Sequence, residues 1–267
     1  MSNAGAIRVG VGGWTFEPWR GVFYPDTVKQ KDELSYIASQ LRSIEINGTY
    51  YSSFKPDSWQ KWRDATPDGF VFTVKGSRFT SNRKVLAEAS ESLDKFMGQG
   101  LAELGDKLGP IFWQFAPTKK FDPDDFGAFL ELLPRSVDGV KVRHAVEVRH
   151  DSFSCPEFPA LLRKHGIGNV YADHATYPEI ADVTADFVYA RLQTGSDDVA
   201  TAYEPKMLKT WAGRLKTWSE GGDPEGLPII DASHKADGKP KDVFAYIIHE
   251  GKVRAPHGAQ ALQKLID

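Results

Sequence analysis

Eight short apolar runs recur along this chain, each four to six residues long, with helically spaced stretches between most of them. They cover residues 7–12, 43–46, 70–74, 111–115, 145–148, 169–172, 187–192 and 243–248. Most are continuously apolar rather than alternating, as expected of parallel strands covered by helices. Eight such units need roughly 250 residues, and the chain has 267, so the pattern predicts a single α/β domain folded as a (β/α)8 barrel of the TIM type. The competing architecture, an open doubly wound sheet, would be expected to carry a phosphate fingerprint in its first βα turn. Gly10-Val11-Gly12-Gly13-Trp14 does not complete one.

Helical spacing falls at 33–41, from 58 onward, at 85–104, 122–133, 157–165, 206–220 and 260–266. Asp57 or Ser58 is expected to cap the second helix, Pro123 to open the fourth and Gly166 to end the fifth. The 85–104 stretch reads as one long amphipathic helix. The connection between strands six and seven is short and irregular. Residues 221–240, rich in Gly, Pro and Asp, read as a surface loop insertion. Residues 1–5 read as disordered or tag-derived, with Ser2-Asn3-Ala4 as a vector scar.

Composition narrows the setting. The one cysteine, Cys155, cannot form an internal disulfide, which suits a cytoplasmic protein. No apolar run reaches the roughly 18 residues of a membrane span, and the N-terminus lacks the pattern of a signal peptide. A formal net charge of −3 offers no global basic field for nucleic acid, although it leaves room for local patches.

Side-chain parity along each strand points to a site. It turns Glu45 and Asn47, Thr73 and Lys75, Gln114, Glu147 and Arg149, Tyr171 and Asp173, and Tyr189 and Arg191 into the barrel. Six strands thus place polar or charged groups at the carboxyl rim, where barrel active sites are built. The bland reading is an internal ion-pair ring. The functional reading is a pocket for an anionic ligand held by Lys75, Arg149 and Arg191, with Glu45, Glu147 or Asp173 as acid, base or orienting group. Asn47, Gln114, His150 and Tyr189 complete the candidate binding set. Trp14, Trp19, Phe23 and Tyr24 form either a packed loop or a stacking wall for the ligand. His150, Asp173, His174 and His249 lie near strand ends, but no metal-binding spacing joins them, and no metal ligand or cofactor is assigned.

At these residues the chain resembles the YecE-like family, a domain of unknown function numbered seventy-two. Gly12-Gly13-Trp14, Trp19-Arg20-Gly21 and Phe23-Tyr24-Pro25 carry the likeness, with Glu45 through Tyr51 and Phe70 through Lys75. It continues through Gly109-Pro110, Gln114-Phe115, Pro117, Glu147-Val148-Arg149-His150, Asp173 and Tyr189-Ala190-Arg191. The resemblance implies the same barrel and supplies no reaction. It departs after strand seven, where Arg191-Leu192-Gln193-Thr194-Gly195 replaces Arg-Leu-His-Gly, and at Ile248-His249, where the family has an Asn pair. Three functions follow as expectations. The first is an enzyme (hydrolase, lyase or isomerase) acting on a small phosphorylated or sugar-like anion. The second is a divalent-metal hydrolase or nucleic-acid-processing enzyme. The third is a non-catalytic module binding a ligand or nucleic acid.

Overall fold

The computed structural model describes residues 4–267. Eight parallel strands close into a barrel in chain order: β1 (Ile7–Gly12), β2 (Ser43–Ile46), β3 (Val71–Lys75), β4 (Leu108–Gln114), β5 (His144–Glu147), β6 (Gly168–Asp173), β7 (Phe187–Thr194) and β8 (Asp242–Glu250). β1 pairs with both β2 and β8, which completes the cylinder. Its helices of eight residues or more are α1 (Glu33–Gln40), α2 (Pro56–Asp64), α3 (Ser90–Met97), α4 (Pro123–Leu132), α5 (Glu157–His165), α6 (Pro205–Ser219) and α7 (Ala255–Ile266), and a single helical turn spans Arg78–Ser81 after β3. No helix follows β6, in agreement with the short connection read from the sequence. No described helix is long and apolar enough to cross a membrane.

Local chemistry explains several boundaries. Asp122 accepts hydrogen bonds from the Asp124 and Asp125 amides and starts α4, with Pro123 in its first turn. Gly166, at φ +63°, ends α5 in the left-handed conformation. α2 starts at Pro56 without the side-chain cap expected from Asp57 or Ser58. The single helix expected over 85–104 is instead three pieces, α3 flanked by 3-10 turns at Leu86–Glu88 and Leu101–Lys107. The break lies at Gly98 and Gly100, and Gly100 takes φ +101°. A Cβ on Gly100 would meet Pro56 Cα at 2.9 Å, so α2 packs where a continuous helix would run. The last helix is longer than 260–266 because Pro256 initiates it near Ala255. A small hairpin, Ser136–Val137 with Val140–Lys141, was not foreseen.

Residues 221–240 form no helix or strand, but they are fastened to the barrel. Asp182 accepts from the Ile230 and Asp231 amides, and Arg163 bridges Asp182 and Asp231. Residues 1–3 of the expected disordered tail lie outside the described residues. Gly5 does not fit that expectation, since its amide donates to the Ser219 carbonyl.

The barrel interior is filled in tiers, as in other closed parallel barrels. Arg8 and Arg143 flank Asp242 at the amino end, and their guanidinium groups lie over Phe244, with Arg143 also over Phe187. Above them, Tyr246 and Tyr189 pack with ring centroids 5.3 Å apart and hydrogen-bond to Ser43 and Thr73, respectively. The charged tier comes next. β1 closes so tightly on β2 that a Cβ on Gly10 would stand 2.1 Å from the Ser43 carbonyl oxygen and 3.1 Å from the Tyr246 ring. Gly10→Ala is therefore expected to lower stability by about 3 kcal/mol, read as a fall in the urea midpoint at unchanged m-value. A loss below about 0.5 kcal/mol would contradict this tight closure.

Candidate active site at the barrel mouth

Five strands supply the charged tier. Glu45 ends β2's inward face, and its Oε2 accepts from the Tyr189 hydroxyl at 2.7 Å and from Arg191 Nε at 3.0 Å. Its Oε1 accepts from Arg191 Nη2 at 3.1 Å and from Asn47 Nδ2 at 2.9 Å. Glu147, across the barrel on β5, accepts from Gln114 Nε2 at 2.9 Å and Arg149 Nε at 2.7 Å. Its other oxygen accepts from Arg191 Nη1. Arg191 thus joins two fully buried carboxylates and stacks 5.0 Å from the Phe112 centroid. Lys75 Nζ donates to Gln114 Oε1 at 2.8 Å and lies 4.4 Å from the Tyr50 ring centroid. The layer is connected across the whole mouth rather than built of isolated pairs.

The electrostatics divide these groups by role. Burial alone would raise the Glu147 carboxyl, but Arg191, Arg149 and Lys75 together hold it down to about 2. Burial works against the Arg191 charge, yet Glu147 and Glu45 outweigh it and raise its pKa. Lys75 moves the other way. Burial, helped by the neighbouring Arg191 charge, pulls its ammonium down to about 8.

Above this tier is a cavity of about 480 Å³, lined by Gly12, Asn47, Tyr51, Lys75, Gln114, Arg149, Arg191, Gln193, His249 and Lys252, among others. Gln193 Nε2 is buried there without a hydrogen-bond partner. At one rim the Arg149 guanidinium lies 4.4 Å from the Tyr177 centroid, and His174 stacks on Tyr177 at 3.9 Å. At another, β8 bulges between Ile247 and Glu250, and His249 adopts φ +69°.

Most of the residues predicted from parity meet at this mouth: Glu45, Asn47, Lys75, Gln114, Glu147, Arg149 and Arg191. The Glu45 and Glu147 carboxylates lie buried beneath the cavity, and Tyr171, Asp173, Tyr189, His150 and Trp14 do not line it. Parity fails on β6, where Val170 faces the barrel interior and Tyr171 packs against Trp211 and Trp218 of α6, its hydroxyl held by Glu179. Asp173 shares that outward parity. It accepts from Thr194 Oγ1 at 2.6 Å, and burial raises its carboxyl. Tyr189 lies fully buried below the cavity and holds Glu45. His150 Nδ1 caps a turn by accepting from the Ser152 amide. Trp14 packs edge-on against Trp62 and Phe72 on the helix side, and Trp19 is fully buried, its indole donating to the Lys252 carbonyl. The aromatic segment after β1 is a packed loop rather than a stacking wall.

Sequence reasoning missed Gln193, Tyr177 and Lys252, and it weighed His249 only as a weak metal donor rather than as part of the cavity lining. Gln193 was within reach, since it continues the parity of Tyr189 and Arg191. The proposed metal donors do not form a centre. Among the described residues, no group of three or more His, Cys, Asp or Glu side chains is placed to hold a metal ion. The two buried carboxylates are already engaged by Arg191 and its neighbours, on both oxygens of each.

Comparison with known proteins agrees with this architecture. The family described as "Protein of unknown function DUF72" matches residues 8–267. The UPF0759 protein YecE of Escherichia coli K12 is 26% identical over 219 residues, spanning 72% of this chain and 76% of YecE. A solved DUF72 family protein from Thermotoga maritima MSB8 superposes with a TM-score of 0.70 at 23% identity, covering 97% of both chains. One from Enterococcus faecalis V583 superposes with a TM-score of 0.69 at 18% identity, covering 99% of both. At these identities the structural likeness speaks to the fold.

Proposed function

This chain belongs to the DUF72 family of proteins of unknown function, and from the chemistry of its mouth we propose an enzyme that binds a small anionic metabolite and transfers a proton to or from it through Lys75. One observation carries this reading. Lys75, Arg149 and Arg191 face two carboxylates, beside an unpartnered amide donor on Gln193. Three cations against two anions leave one positive charge uncompensated, and a phosphoryl or carboxylate group matches both that charge and the free donor.

The roles follow from the environment of each group. Glu147, held near 2 and accepting three hydrogen bonds, stays ionised and has no proton to give at neutral pH. It serves to orient Arg149 and Arg191. Glu45 does the same for Arg191 and Asn47. Lys75, near 8 at the cavity wall, is the group with a proton affinity suited to acid or base work. Arg149 and Gln193 grip the anion. A proton transfer next to an anionic group fits isomerase or lyase chemistry on a phosphorylated or sugar-like compound.

The test incubates the protein with a panel of phosphorylated sugars and small carboxylates in deuterium oxide and follows proton exchange by NMR. At least one anion is expected to exchange, and Lys75→Met should slow that exchange by about two to four orders of magnitude. Anions that bind yet never exchange would favour a non-catalytic binding module. Equal exchange in Lys75→Met would remove Lys75 from the mechanism.

A further inference from the structure

Beside the mouth lies a ledge whose composition differs from the rest of the surface. Among the described residues, the exposed large hydrophobic side chains include only two aromatic rings, Tyr51 at 63% and Phe79 at 62%. Both stand on this ledge, Tyr51 in the segment after β2 and Phe79 in the helical turn Arg78–Ser81 after β3. The Arg78 guanidinium joins them, 5.5 Å from the Tyr51 centroid and 5.2 Å from that of Phe79. Two grooves follow. The first, about 240 Å³, is lined by Tyr51, Phe79, Arg83, Glu91 and Lys95 among others. The second, about 580 Å³, is lined by Arg83, Lys84, Lys119 and Lys120 among others. Arg83 belongs to both grooves, and Tyr51 belongs to both the first groove and the mouth. The mouth and the two grooves therefore adjoin one another in a row from the barrel rim outward.

Its charge is one-sided in a chain that is acidic as a whole. The lining cations are Arg83, Lys84, Lys95, Lys119 and Lys120, and the one lining acid is Glu91. Lys119 is also paired with Asp125 at 2.8 Å, which leaves the others to attract an anion. Exposed rings bridged by a guanidinium, with lysines spaced along a groove, match a polymer that alternates phosphates and flat bases. An acidic peptide would use the charges and leave the rings idle. A duplex would hide the base faces that the rings could stack on.

We propose that this ledge binds single-stranded nucleic acid, with bases stacked on Tyr51 and Phe79 and phosphates along Arg83, Lys84, Lys95 and Lys120. Phe79, Lys84 and Lys120 lie outside the mouth, so this site stands or falls independently of the chemistry at Lys75.

The experiment measures fluorescence anisotropy of a labelled oligothymidylate of about 20 nucleotides, the matching duplex and anionic phospholipid vesicles. The single strand is expected to bind more tightly than the duplex. Four phosphate contacts predict a loss of roughly 50-fold between about 50 and 200 mM salt. Phe79→Ala should weaken binding about tenfold, and Lys84→Glu with Lys120→Glu by more, while the melting temperatures stay unchanged. No binding of the single strand, equal affinity for the duplex, preferential capture of the vesicles, or indifference to both sets of variants would each overturn the proposal.

Discussion

Arg191→Met is expected to cost about 3–5 kcal/mol of folding stability, the penalty for leaving buried charge without its partner. Arg191 makes contacts to both Glu45 and Glu147, and both carboxylates are fully buried. Methionine fills a similar volume and supplies no donor. Urea unfolding of the wild type and variant measures the loss. Adding Glu45→Gln and Glu147→Gln to the variant should recover much of it, because the charges left stranded are then gone. A loss under about 1 kcal/mol would mean the ion tier is not shared as described.

The acid limb of the stability curve gives a second view of the same layer. The folded pKa of Glu147 lies below its ordinary value of 4.5. Its contribution is therefore fully present above that value and disappears as the pH falls from about 4.5 toward 2. In Arg191→Met the strongest group holding that carboxyl down is absent and the opposing effect of burial remains, so the pH of greatest stability should move toward acid.

The second large effect is on ligand affinity. Lys75 is held near 8, so a bound anion will be attracted chiefly to its protonated form. Sulfate is a suitable probe because its charge is constant over the relevant range. Its affinity should be level below about pH 8 and then fall, by up to about tenfold per pH unit. Titration calorimetry in buffers of different ionisation enthalpy should show proton uptake on binding above that pH. Lys75→Met should weaken sulfate by roughly 100-fold and abolish the pH dependence.

The same variant should fold more stably at pH 7, by about 1–3 kcal/mol. The sign follows from linkage. Folding lowers the lysine pKa from 10.5 to about 8, so between those values the unfolded chain holds more protons and stability rises with pH. At pH 7 the charged amine costs the folded state, and methionine removes that cost. Unchanged sulfate affinity together with unchanged stability would show that Lys75 is solvated and takes no part in the mouth.

The barrel was legible from the sequence because continuous apolar runs leave little choice but parallel strands under helices. Inward parity worked where one face of a strand is plainly apolar, as at Ile44 and Ile46 or Val146 and Val148. It failed on β6, where Tyr171 is amphipathic. Its ring belongs with Trp211 and Trp218, and its hydroxyl finds Glu179, so a polar atom marks the outer face. Local spacing also could not show that α2 needs the space at Gly100, because that contact joins residues far apart in the chain. Asp173 and His150 look functional by type and position, yet each is used up by nearby hydroxyl or amide donors. Gln193 was obscured by its departure from the family pattern, although its parity was correct.

For the proposed proton transfer at Lys75, the floor of the barrel would have a consequence for turnover. Arg8, Arg143 and Asp242, with Phe187 and Phe244 against them, stopper the far end beneath two more filled layers. The vessel thus has a single opening, and whatever reaches Lys75 must back out past Arg149 and Lys252. Reactant and product would take turns at one doorway, so accumulated product is expected to act as a simple competitor of the incoming molecule.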